Sequence, residues 1–341
     1  MTTGGVMTSS RRVFVGGVTA LMLSPAKRGA AQDGAKRPRI ALVFANAPEA
    51  TLQGPNPSSK FARGFLERMR ELGWVDGENI TLERRSTEGN PERLTALAEE
   101  LHRLAVELVV LSAGREAIPD VKQAIGSTPL VWLGVDTDWM VQAGLAKSLA
   151  HPGGTVTGLT AQVDNQLIAK RLQLLKEAVP HVTRVGYLTT TLPVPPEVEA
   201  GARSLSVTLM PVAVAAPEGL DQAFIAMRQK RAEAVTLGQG WFFQGHSGRL
   251  AELALRERLA TMYRDRVFTE RGALMSYGID WFDLFRRAPA YVDKILKETR
   301  PGDVPVEQPT KFEFTINLKT AKVLGLTIDR SVLTRADEIM Q

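Results

Sequence analysis

The chain of 341 residues contains no cysteine. That one absence removes disulfides, thiolate metal sites, cysteine nucleophiles and a lipidated N-terminal cysteine together. Histidine is scarce as well. His102, His151, His181 and His246 are scattered without metal-ligand spacing, and His102 falls at a charged helix end as a surface residue would. No HExxH, P-loop or GxSxG motif occurs. Gly238-Gln239-Gly240 follows a predicted strand, but the third glycine of a dinucleotide fingerprint is missing and Gly245 lies too far on. No pair of carboxylates stands out as an acid–base couple. These absences remove the common enzyme classes without excluding an enzyme, and they point to no metal site.

Charge of one sign is lacking too. The chain holds 42 Lys and Arg against 37 Asp and Glu, a net charge of +5. Four of the basic residues, Arg11, Arg12, Lys27 and Arg28, fall within the first 31 positions, where there is no acid. The remainder carries 38 basic and 37 acidic residues, or +1. Nucleic-acid binding would need clustered basic surplus, and none is left. Nor is there an apolar run of about 20 residues that could span a bilayer.

Residues 1–31 read as a signal peptide. They run from Ser10-Arg11-Arg12-Val13-Phe14 through a short, weakly apolar stretch to Ala30-Ala31-Gln32. The adjacent arginines followed by Phe14, and the glycines that dilute the apolar stretch, suit twin-arginine export. With no lipid anchor and no later span, the expected product is soluble, in the periplasm of a cell with two membranes. About 310 remaining residues suit two domains rather than one core.

Alternating signals predict those domains. Short apolar or alternating runs predict strands over 40–44, 80–84, 108–111 and 130–134. Helical periodicity predicts helices over 61–72, 91–101 and 118–125, the first with Phe61, Phe65, Met69 and Leu72 on one face. The stretch 148–159 then interrupts the pattern. Beyond it, helices are predicted over 167–179, after Pro196, and over 220–231, 250–259 and 281–295. Strands are predicted over 185–188, 207–210, 234–237 and 273–277. The segment 311–317 reads as an edge-like strand and the tail 321–340 as helical, broken at Gly325. The fold class expected is α/β, with two Rossmann-like lobes of parallel sheet joined by a three-crossing hinge. The first lobe takes 38–153 plus 274–302 and the second 158–270 plus 306–341. Crossings are expected near 152–158, 271–274 and 302–306. Pro152, Gly153 and Gly154 are the hinge candidates, with an ordinary tight turn as the alternative.

Several stretches, in order, resemble the substrate-binding proteins of ABC transporters, in the subgroup that includes aromatic amino-acid binders. They are residues 65–79 (FLERMRELGWVDGEN), Ala143-Gly144-Leu145, Pro152-Gly153-Gly154-Thr155-Val156-Thr157-Gly158, residues 170–177 (KRLQLLKE), Leu274-Met275-Ser276-Tyr277-Gly278, and 309–322. The resemblance covers most of the chain past the leader. It implies a two-lobed periplasmic binding protein of type I-like fold, without cofactor or catalysis.

Ligands of open α/β sheets bind outside the carboxyl ends of the strands. Those ends nominate Asn46; Ser112, Gly114 and Arg115; Asp136, Asp138 and Trp139; Thr189 and Thr190; Gln239 and Trp241; and Tyr277. Ser112 and the amides after Gly114 would hold a carboxylate at a helix start, with Arg115 adding charge or simply solvated. Asp136 or Asp138 would meet an ammonium or hydroxyl, or else cap a helix. Trp139, Trp241 and Tyr277 would stack on a ring or merely pack. The pocket departs from the family where many relatives carry Ser-Asp-Pro and this chain has Asp138-Trp139-Met140. It departs again where Thr189-Thr190 replaces Asn-Pro, and where Arg115 replaces a small or hydroxyl residue. Scaffold therefore matches better than pocket, and an aromatic amino acid is one ligand candidate among amino-acid-like molecules and carboxylates. The reading is a monomeric solute-binding protein serving an ABC permease and ATPase encoded as separate chains. The alternatives are a ligand-sensing module for a membrane receptor and an exported enzyme.

Overall fold

The structure is a computed structural model that describes Met1 and residues 37–341, except Pro91, Asp136, Gln162, Val163, Gln239, Gly240 and Trp241. The signal-peptide reading thus falls, Met1 apart, outside the described residues. Residues 37–341 form one compact unit.

The first lobe runs β1 (Arg39–Phe44), α1 (Lys60–Glu71), β2 (Thr81–Ser86), α2 (Arg93–Arg103), β3 (Leu108–Ser112), α3 (Ile118–Ile125), β4 (Leu130–Val135), α4 (Thr137–Gln142) and β5 (Val156–Thr160). The second runs α5 (Asp164–Ala178), β6 (Arg184–Thr189), α6 (Pro196–Ser204), β7 (Thr208–Ala213), α7 (Gly219–Gln229), β8 (Ala234–Leu237), α8 (Phe242–Gly245), α9 (Ser247–Arg256), β9 (Ala260–Tyr263), α10 (Arg266–Glu270) and β10 (Met275–Ile279). Then α11 (Trp281–Leu296) precedes β11 (Phe312–Asn317), α12 (Leu318–Leu324), α13 (Arg330–Leu333) and β12 (Glu338–Met340). Two sheets result, ordered β2-β1-β3-β4-β5 and β12-β11-β10-β9-β8-β6-β7. Every pairing is parallel except β10 with β11.

Burial explains the runs. All of β3 and nearly all of β1 are buried, because helices cover both faces of a parallel sheet. Ile40 and Leu42 face one core while Ala41 and Val43 face the other. At the opposite extreme, β7 is an edge strand that is mostly open, and it tolerates Pro211 because no partner needs that amide.

The lobes exchange chain at places other than those the sequence suggests. β5 pairs with β4 in the first sheet, so Pro152, Gly153 and Gly154 lie inside the first lobe and the crossing follows Thr160. Their turn is pressed against another: the Gly153 amide donates to the Gly302 carbonyl at 2.9 Å. β10, expected in the first lobe, lies between β9 and β11 of the second sheet. The chain returns only after it, as α11 packs on α1 through Leu284, Phe285, Ala288 and Val292. The edge reading of 311–317 also fails, since β12 lies outside β11; the tail is helical only to Gly325 and again over α13. Gly325 ends α12 in the left-handed conformation at φ 73°. β5, β9 and β12 were not legible as strands, being short or masked by Gly and charged neighbours.

Both strands that lead into crossings carry a glycine for the same reason. A Cβ on Gly158 of β5 would sit 2.0 Å from the Trp132 carbonyl oxygen. A Cβ on Gly278 of β10 would sit 1.7 Å from that of Arg264. Backbone cannot yield to a methyl at those distances. Gly278→Ala is expected to destabilise the protein by about 3 kcal/mol or more. Gly248→Ala, whose Cβ would meet nothing within 4 Å, is expected to be neutral or stabilising by roughly 0.5–1 kcal/mol in its helix. Urea unfolding of the two variants distinguishes them; equal midpoints would refute the collision.

Candidate ligand-binding cleft

A cleft of about 880 Å³ lies between the lobes. From the first lobe it takes the chain after β1, Ser112 at the end of β3, and the start of α1. From the second it takes residues 244–249, Asp265 and the exposed side of α10. The beginning of α11 closes it from behind. Its volume is within the range of small-molecule sites.

The loop after β1 is long and proline-rich, yet it is fixed. β2 turns Leu82, Arg84 and Ser86 inward, and the two polar ones satisfy the loop's carbonyls. Arg84 donates to Leu52 at 3.0 Å and Gly54 at 2.6 Å, with Asp76 at 3.0 Å balancing its charge. Ser86 donates to the Ala47 carbonyl. Thr87 Oγ1 and the Gly89 amide both donate to the Ala45 carbonyl, at 2.8 and 2.7 Å. Asn46 is thereby held exposed at the rim of the cleft.

The rear wall is aromatic. Phe44 stacks on Phe285 with centroids 4.8 Å apart and planes within 5°. Phe61 adds a tilted contact to the same ring at 5.3 Å. Trp281 and Phe282 continue the wall. Trp281 also bonds the lobes: its Nε1 donates to Asp265 at 2.7 Å. Asp265 is nearly buried and pairs with Arg264 at 3.0 Å. A second link crosses the mouth, where Lys60 of α1 meets Glu270 of α10 at 3.4 Å. Glu270 also accepts from Arg266 at 2.7 Å, and Arg266 reaches Glu313 at 2.9 Å. The cleft therefore offers an apolar, ring-shaped back and a rim of matched charges. Among the described residues no group of three or more His, Asp or Glu is placed to hold a metal ion, and no helix is long and apolar enough to cross a membrane.

Of the residues nominated from sequence, Asn46 and Ser112 border this cleft, Ser112 being buried. Gly114 is buried and Arg115 is exposed beside Glu116 at 3.8 Å; neither borders it. Asp138 is exposed in the first turn of α4, and Trp139 packs edge-to-face on Trp132 at 6.0 Å. Thr189 is buried and its hydroxyl donates to the Thr191 carbonyl at 2.9 Å, with Thr190 half-buried beside it. Tyr277 is in mid-strand and packs between Phe312 and Phe314, at 6.2 and 6.4 Å. Asp136, Gln239 and Trp241 lie outside the described residues.

The sequence reading missed Asp265, Arg266 and Glu270, because it missed β9. The signal was the apolar run Leu259-Ala260-Thr261-Met262-Tyr263 followed at once by Arg264-Asp265-Arg266. It also missed the aromatic wall, whose members belong to three elements far apart in the chain. Tyr263 itself turns into the core with no partner for its hydroxyl among the described residues, and burial pushes that hydroxyl's ionisation upward.

Comparison with known proteins agrees with this architecture. A curated tyrosine-binding protein of Clostridioides difficile (strain R20291) is 23% identical over 290 residues, spanning 82% of this chain and 81% of the relative. The crystal structure of an ABC domain in complex with L-Trp from Streptococcus pneumonia superposes with a TM-score of 0.73 at 22% identity, over 88% of this chain and 100% of that one. A conserved domain protein from Vibrio cholerae superposes with a TM-score of 0.75 at 22% identity, over 89% and 100%. The family model for ABC transporter substrate binding proteins matches residues 51–340. With two lobes, three crossings and a cleft between strand ends, the chain belongs to the ABC transporter substrate-binding protein family.

Proposed function

We propose that this protein is exported, captures an aromatic, amino-acid-like molecule in the interlobe cleft, and delivers it to an ABC permease powered by a separate ATPase chain. The observation that carries the ligand class is the aromatic back of the cleft, where Phe61, Trp281 and Phe282 stand half-buried around the buried Phe44–Phe285 stack, beneath a charged rim. A ring stacks on such a wall, and a zwitterion finds both signs at the rim. The relatives that bind tyrosine and L-Trp support the same class. The paired arginines Arg11-Arg12 before an apolar stretch support export, and the periplasm follows from it. Closure favours the ligand because each lobe supplies part of the site, so only the closed form makes all the contacts. No step of this function calls for bond making.

A ligand that binds only the folded state raises the unfolding temperature with concentration, by about 2.7 kcal/mol of added stability at a hundred times its Kd. Thermal unfolding of the full-length protein against aromatic amino acids, aliphatic amino acids and sugars tests the reading. Stabilisation by the aromatic set is expected, and silence from that set would remove it. Ser112→Ala and Asn46→Ala are each expected to weaken binding roughly tenfold, about 1.4 kcal/mol, with the unliganded melting midpoint nearly unchanged. Unaltered affinity in both would dismiss the first-lobe half of the site.

The Lys60–Glu270 pair is half-exposed on both sides, so it closes the mouth without dominating the energetics. A double-mutant cycle of Lys60→Gln and Glu270→Gln, read as ligand affinity, is expected to give a coupling below about 1 kcal/mol. A coupling above about 2 kcal/mol would show that the pair is desolvated and part of the binding energy.

A further inference from the structure

The rim of the cleft is matched in charge except at two places. Glu270 is shared by Lys60 and Arg266, and Glu313 is taken by Arg266. Asp265 pairs with Arg264, and Glu67 lies 3.9 Å from Arg286. Asp280 caps α11 through the Asp283 amide at 3.1 Å. Among the cations, Arg249 is engaged by Asp221 at 2.7 Å and Glu252 at 2.9 Å. Arg63 and Arg271 remain. Arg63 spends one donor on the Pro57 carbonyl at 3.2 Å, and among the described residues neither guanidinium has a carboxylate partner.

These two arginines come from opposite lobes and border the same cleft. Their placement follows from the pair beside them. Lys60 and Arg63 are three apart on α1, hence on one face of that helix. Glu270 and Arg271 are consecutive at the end of α10. The Lys60–Glu270 contact at 3.4 Å brings these two segments together across the mouth, and Arg63 and Arg271, one on each segment, both line the cleft there. Two like charges drawn together by closure repel each other unless an anion lies between them. Guanidinium forks suit carboxylate or phosphate, which accept paired hydrogen bonds.

Resting on the aromatic, amino-acid-like reading above, we propose that the ligand carries a second acidic group, a carboxylate or a phosphate. Arg63 of one lobe and Arg271 of the other hold it as the cleft closes. The group sits at the mouth, while the ring lies on the aromatic wall. Because the two arginines are on different lobes, this group is bound fully only in the closed form, and it adds to the driving force for closure.

Calorimetric titration of the full-length protein with matched probes tests this. One pair is L-phenylalanine and 4-carboxy-L-phenylalanine; the other is L-tyrosine and O-phospho-L-tyrosine. At least one acidic probe is expected to bind tenfold or more tighter than its neutral partner, and the better pair identifies carboxylate or phosphate. In Arg63→Gln and in Arg271→Gln that ratio is expected to fall towards one, with Arg63→Lys keeping part of it. Melting curves of the variants confirm that they fold. Neutral probes that bind as tightly as acidic ones overturn this inference and leave the aromatic reading standing. A ratio that survives in both glutamine variants overturns it as well. If none of the four probes binds, the aromatic amino-acid reading fails and this inference fails with it.

Discussion

Three chain segments pass between the lobes side by side, and they must satisfy one another's backbone. The segment leaving β5 and the segment leading to β11 bond reciprocally: the Thr160 amide donates to the Glu307 carbonyl at 2.9 Å, and the Glu307 amide to that of Gly158 at 3.2 Å. Thr157 Oγ1 adds a bond to the Val304 carbonyl at 2.6 Å. At the remaining crossing the Asp280 amide donates to the Lys311 carbonyl at 3.1 Å. A buried arginine, Arg171 of α5, donates to the Tyr277 carbonyl of β10 at 2.7 Å, tying the first crossing helix to the second crossing strand. Buried backbone groups are costly to leave unpaired, so these bonds restrict how the lobes can part. In the capture proposed above, rotation about the crossing, a hinge closure, is the motion that would keep these bonds.

The same constraint accounts for the glycines. At the end of each of these strands the neighbouring chain lies tight against the backbone. Gly158 against Trp132 and Gly278 against Arg264 are the places where that approach leaves no room for a side chain. Both belong to stretches that resemble the family, the Pro-Gly-Gly-Thr-Val-Thr-Gly run and Ser-Tyr-Gly. Those stretches are therefore signatures of crossing geometry, and they say little about the ligand.

Much of the fold was legible in the residues because burial on both sheet faces writes continuous apolar runs, and helices repeat at 3.6 residues. Ile40–Phe44, Leu108–Leu111 and the stripe of α11 are cases where periodicity and structure coincide. What could not be read was which sheet a strand joins. β10 looks the same in either lobe, since its membership is decided by pairing with β9 and β11 far along the chain. The site was harder still. Asn46 and Ser112, which border the cleft, could be nominated because they follow obvious strands. Asp265 and Arg266 follow a strand of four residues with charge directly after it, which periodicity does not distinguish from a helix end. Tyr277 was placed by assuming that the strand stopped there; β10 continues to Ile279, so its ring packs on Phe312 and Phe314.

The aromatic wall shows how site and hinge become one mechanism. Trp281, Phe282 and Phe285 occupy the first turns of α11, immediately after the crossing at Asp280. The helix belongs to the first lobe by packing, yet Trp281 donates to Asp265 of the second. A ligand lying on this wall, as proposed, sits beside Trp281, whose bond to Asp265 spans the lobes. The wall itself moves with the first lobe, so the contacts that would change on closure are those the second lobe adds. A difference in contact energy of that kind is what shifts an equilibrium between open and closed forms. A site built on one lobe alone, however tight, would supply none.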